Sequence, residues 1–109
     1  MNVTKEELND HLLLTVDGRL DTTQSDAFEK EMMQVLEEGN KKIIMDCSGL
    51  NYISSSGLRI FLTMQKRMMA VGGTFKICNL QPSIQEIFDM SGFSMIFSIF
   101  PDQEAALKG

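Results

Sequence analysis

Two hydrophobic periods alternate along this chain, and each change of period predicts a passage between strand and helix. Residues 3–8 and 11–16 flank a turn-like Asn9-Asp10, and Leu12-Leu13-Leu14-Thr15-Val16 is strand-forming, so the pair predicts a hairpin. A loop over 18–23 follows, where Gly18 permits a turn or bulge, Leu20 can point inward, and Asp21, Thr22 or Thr23 can cap the next element. Thr23-Gln24-Ser25-Asp26 has capping-box spacing with Asp in place of Glu. Phe28, Met32, Val35 and Leu36 recur at helical spacing with Glu29, Lys30, Gln34, Glu37 and Glu38 opposite, which predicts an amphipathic helix stopped by Gly39.

Ile43, Ile44 and Met45, closed by Asp46, read as a buried strand over 43–47. A small polar loop over 49–56 leads into a helix that opens on Ser54, Ser55 and Ser56. Its apolar stripe runs Leu58, Phe61, Leu62, Gln65, Met68 and Met69, ending at Gly72-Gly73. Residues 74–78 predict another strand. Pro82, Ile84, Ile87 and Phe88 make a short helix stopped by Gly92, residues 93–100 a last strand, and 101–108 a terminal helix. The order β-β-α-β-α-β-α-β-α predicts an α/β fold: a mixed, mostly parallel central sheet of about five strands with four helices. Strands 12–17 and 43–47, joined through a helix, should run parallel, which sets loops 18–23 and 49–56 side by side at the carboxyl end of the sheet.

Composition narrows the function. The 109 residues suit one domain with one core, so 1–109 is read as a single unit. A net charge of −5, with basic residues no more than paired (Lys41-Lys42, Lys66-Arg67), argues against a nucleic-acid surface. No apolar run approaches the roughly 20 residues that span a bilayer, and the polar N-terminus is no signal peptide, so the expectation is a cytoplasmic protein without a membrane partner. Cys47 and Cys78 form no ligand motif and read as small buried hydrophobes, and a lone His11 cannot build a metal site; no cofactor is expected.

Three consecutive serines exceed what one cap needs. Taken locally they are caps and loop hydroxyls. The run Ile53-Ser54-Ser55-Ser56-Gly57 is not a nucleophile elbow, has no nearby His, and is accompanied by no glycine-rich phosphate cradle. An enzyme is therefore not expected.

Leu20-Asp21, Asp46 and Tyr52-Ile53-Ser54-Ser55-Ser56-Gly57-Leu58 together resemble the STAS domain family, and within it the bacterial anti-sigma factor antagonists of the SpoIIAA and RsbV kind. The resemblance spans the whole chain in element order and implies the STAS fold. The family's pattern is Asp-Ser-Ser-Gly-Leu, its first serine phosphorylated by a cognate anti-sigma factor serine kinase. That implies phosphorylation at Ser55, with Ser54 standing where the family has Asp and Asp21 able to supply the missing negative group. It further implies that the unmodified protein binds the kinase and frees a sigma factor, that phosphorylation ends binding, and that a serine phosphatase resets the switch. The implied partner surface takes in Asp21, Thr22, Ser54, Ser56 and Gly57. Arg59, Ile60 and Met64, off the main stripe, are expected to be partly exposed and to join it, while Met32, Met68 and Met69 fill the core. A monomer is expected. The competing readings are an unphosphorylated STAS module in a lipid-transport or stressosome complex, and a small-ligand or nucleotide sensor built on the same loop pair.

Overall fold

The computed structural model describes residues 1–109. Nine elements and one short 3-10 turn follow in the order β1 (Asn2–Leu8), β2 (His11–Leu20), α1 (Thr22–Glu37), β3 (Lys42–Ile53), α2 (Ser55–Ala70), β4 (Thr74–Cys78), α3 (Pro82–Met90), the turn Phe93–Met95, β5 (Ser98–Phe100) and α4 (Gln103–Lys108). One five-stranded sheet has the order β1-β2-β3-β4-β5, with β1 antiparallel to β2 and every later pair parallel. The predicted class and element count hold. Asn9 and Asp10 both take positive φ (47° and 73°), the conformation of a two-residue hairpin turn whose twist matches its strands.

The core lies on one face of the sheet, under α1, α2 and α3. Phe61 of α2 is fully buried at its centre, its ring 6.0 Å from Phe28, 6.3 Å from Phe75 and 6.1 Å from Phe88. Burial of one such side chain contributes about 1.5–3 kcal/mol. The opposite face carries a smaller cluster of Leu13, Ile44 and Cys78 beneath Ala106 of α4. Asp46 lies on that face and ties α4 down, accepting from the Gln103 side chain at 2.6 Å, Ser48 N–H at 2.9 Å and the Asn79 side chain at 3.2 Å. Burial pushes the Asp46 carboxyl up, but these donors outweigh it and hold it below the usual carboxylate range.

Two sequence expectations need correction here. Residues 18–20 and 49–53 are strand, not loop: β4 pairs with β3 only as far as Asp46↔Cys78 and β1 with β2 only as far as Asn2↔Asp17, and beyond both β2 and β3 continue together as a two-stranded ribbon from Gly18↔Leu50 to Leu20↔Ile53. The two segments satisfy each other's backbone groups, and Gly18 (φ 106°) absorbs the register shift beside it. Asp46 is therefore inside β3 rather than at its end. Residues 93–100 are not one strand either. Gly92 in the left-handed region ends α3, and the turn that follows drives Phe97 against Phe88 and Phe75 (5.5 and 6.4 Å), leaving three residues to pair with β4.

Candidate functional site

The ribbon delivers two helices to one place. Leu20 and Ile53 pair at its tip, both buried, and each is followed at once by a cap: Asp21 for α1, Ser54 for α2. Asp21 Oδ1 accepts from Thr23 N–H (3.1 Å), Gln24 N–H (3.2 Å) and the Thr23 hydroxyl (2.7 Å). The Thr23 hydroxyl is the main reason its carboxyl sits below the ordinary range, with the two N–H groups and Arg19 adding to it. Ser54 Oγ accepts from Gly57 N–H at 3.2 Å, and Ser54 N–H donates to the Leu20 carbonyl at 2.9 Å, so the two helix starts are stitched together.

A chain of hydroxyls extends the stitch. Ser25 donates to the Asp21 carbonyl (3.0 Å), Ser25 and Ser56 lie 2.7 Å apart, and Ser56 and Ser54 lie 2.9 Å apart. A serine has a single proton to give. Since Ser25 spends its proton on the Asp21 carbonyl, Ser56 must donate to Ser25 and Ser54 to Ser56. The direction of every bond follows, from Gly57 N–H through three hydroxyls to a carbonyl of the other helix. Ser54 and Ser56 are thereby committed to structure, Ser54 being buried and Ser56 half-buried.

Ser55 is outside this chain. Its side chain is exposed on the first turn of α2 and makes no hydrogen bond, and neither Ser55 N–H nor Ser56 N–H has an acceptor in the protein. Thr22, at the first position of α1, and Arg59, one turn beyond Ser55, are exposed as well. Asp21 is next to this surface, but all its side-chain hydrogen bonds go to its own helix and none reaches Ser55.

Gly57 explains where the predicted stripe went astray. A methyl group on Gly57 would come within 2.8 Å of Leu20 Cγ and 3.0 Å of Ile53 Cγ1, so only glycine lets α2 sit this close to the ribbon tip. That contact turns the Gly57 side of the helix inward, and Ile60 and Met64 follow it at i+3 and i+7. Ile60 is 5% exposed and Met64 fully buried, so the expectation that they are partly exposed is corrected; Arg59 alone of that trio faces solvent. Met69, expected in the core with Met32 and Met68, is instead 67% exposed. Ser25 is the site residue that sequence reasoning missed. In the chain it is one more serine of a first helical turn, and only the fold sets it against Ser56, 31 positions away.

Other reactive side chains lie elsewhere and are sealed. Cys47 is fully buried and its thiol is pushed well up by burial; Cys78 is pushed up to about 12 by burial and the Asp46 carboxylate. Neither is a thiolate near neutral pH. His11 is buried beside the hairpin turn, its Nδ1 2.9 Å from the Asn9 carbonyl. No helix is long and apolar enough to cross a membrane.

Comparison with known proteins fits this geometry. The STAS domain family model matches residues 2–106. BtrV of Bordetella bronchiseptica, a protein named as an anti-sigma factor antagonist, is 31% identical over 97% of this chain and 91% of its own length. A Thermotoga maritima structure bearing the same kind of name superposes with a TM-score of 0.92 at 19% identity, covering 97% of this chain and 92% of that one. The Bacillus cell fate determinant SpoIIAA, solved in its phosphorylated form, gives a TM-score of 0.74 at 20% identity, with 98% of both chains covered.

Proposed function

The chain belongs to the STAS domain family, and from that premise we propose that it is an anti-sigma factor antagonist switched by phosphorylation of Ser55. Unmodified, it binds an anti-sigma factor serine kinase and so frees a sigma factor; modified, it lets the kinase go, until a serine phosphatase removes the phosphate. Its output is binding, and residues 1–109 act as one cytoplasmic, monomeric domain. The observation that carries this reading is the division of labour among the three serines: Ser54 and Ser56 are bonded into the fold, and Ser55 alone offers an exposed, unbonded hydroxyl.

Placement at a helix start suits a reversible charge. A phosphate brings about −1.5 to −2 charges, and the unpaired N–H groups of Ser55 and Ser56 together with the helix dipole can accommodate it without unfolding α2. The partner bears the consequence instead. A docking surface that covers Ser55, and reaches Thr22, Asp21 and Arg59, would have to bury a dianion. A penalty of roughly 3 kcal/mol weakens binding on the order of 100-fold. Ser54, standing where the family pattern has Asp, caps α2 through its own hydroxyl, and serine and aspartate cap about equally well. Gly57 supports the surface by seating α2; Ile60 and Met64 support it from the core rather than by contact.

Incubation with the anti-sigma factor kinase and Mg-ATP, followed by mass spectrometry, tests this directly. Phosphate is expected on Ser55 and absent from Ser55→Ala, and Ser55→Asp is expected to lose binding on the order of 100-fold by calorimetry. An unmodified Ser55, or a Ser55→Asp chain that binds like the wild type, would refute it.

A further inference from the structure

The outer side of the β2–β3 ribbon is bare. Inside, Leu20, Leu50 and Ile53 are buried against the helices, but on the outside Arg19 and Tyr52 face solvent directly opposite one another in register. Tyr52 is the only tyrosine of the chain and is 40% exposed, and the Arg19 guanidinium lies over its ring, 4.3 Å from the centroid. In a chain with 15 acidic residues, Arg19 has no ion pair. Its sequence neighbours Asp17 and Asp21 do not close on it: Asp17 folds over Gly49, and Asp21 caps α1. Stacking on the ring holds the guanidinium in place while its N–H edge stays free.

We infer that Arg19 and Tyr52 are a second contact element of the partner surface, recognised by a protein that presents a carboxylate to Arg19 and an apolar side chain to the Tyr52 ring. The inference rests on the antagonist reading and extends its surface from the serine turn onto the ribbon. Four features support it. The pair is continuous with the switch, since Leu20 and Ile53, the residues that follow Arg19 and Tyr52, lead straight into Asp21 and Ser54. A stacked arginine is already ordered before binding and offers a planar fork matched to a carboxylate. Tyrosine and arginine are also the side chains that most often dominate protein interfaces. The chain's own surplus of negative charge would repel an acidic partner elsewhere, so a carboxylate aimed at Arg19 fixes the docking register.

Calorimetry with the anti-sigma factor kinase used above, at low and high salt, tests the pair on the intact chain. Arg19→Glu is expected to weaken binding on the order of 100-fold and Arg19→Gln and Tyr52→Ala on the order of 10-fold each, with less salt dependence in Arg19→Gln. Arg67→Glu, at the far end of α2, should stay within about twofold of wild type. Circular dichroism melts that match the wild type exclude loss of fold as the cause. If Arg19→Glu binds as tightly as the wild type while Ser55→Asp does not bind, the ribbon contact is wrong and the switch stands. If Ser55→Asp binds normally while Arg19→Glu does not, the contact stands and the switch is wrong. If the wild-type chain does not bind the kinase at all, both fall.

Discussion

Two helices start side by side at the ribbon tip, and they are capped by different means. The start of α1 carries a permanent charge: Asp21, its carboxyl held low and all its hydrogen bonds turned inward on Thr23 and Gln24. The start of α2 is neutral, capped by a buried Ser54 whose own proton goes to Ser56. One end has its anion built in, while the other keeps an unpaired hydroxyl and unpaired N–H groups to which an anion can be added. On the proposed reading, a partner that covers both ends would meet one fixed charge and one optional charge. Only the optional charge can carry information.

The sharpest way to break this contrast is through the contact that sets the two ends together. Gly57→Ala forces a methyl group into Leu20 and Ile53 and should destabilise the protein by about 1–3 kcal/mol, read as a lower urea midpoint. It should weaken partner binding too, because Ser55 moves with the helix. Removing the fixed charge comes next. Asp21→Ala should lower stability near neutral pH by loss of the α1 cap. Because the folded carboxyl is held below its ordinary value of about 3.9, this contribution is complete above that value and fades as pH falls through the lower folded one. Wild type and Asp21→Ala should therefore converge in acid, and parallel curves would show that the carboxylate is not what matters.

Ser25→Ala removes the hydroxyl that ends the chain on the α1 side and should cost about 1 kcal/mol in chemical denaturation. The smallest stability change is expected from Ser54→Asp, which makes the two caps alike. Aspartate caps as well as serine but cannot donate to Ser56, so the change should stay within about 1 kcal/mol. If charge beside Ser55 matters for docking, this variant will shift partner affinity while hardly moving the melting curve.

Much of this was legible before the structure. The hairpin at Asn9-Asp10, helices α1, α3 and α4, and the buried run from Ile43 follow from periods and punctuation that depend on near neighbours in the chain. So did the serine-led start of α2, because a cap is made with N–H groups two or three residues on. The errors share a cause. Residues 18–20 and 49–53 look like polar loops one at a time and become strand only because each supplies the other's hydrogen bonds. Ile60 and Met64 sit at the margin of a stripe whose position depends on how closely Gly57 approaches Leu20.

The amino-acid order by itself determined that an exposed-type polar turn, rich in hydroxyls, would open a helix at the carboxyl end of an α/β sheet. The family resemblance pointed to Ser55, but the local pattern of residues gave no physical reason why Ser55 rather than Ser54 or Ser56 should be free. That choice was made by Ser25 and the Asp21 carbonyl, remote in the chain and brought within bonding distance by β2 pairing with β3. A hydroxyl has one proton, so whether it is available depends on what lies beside it in space.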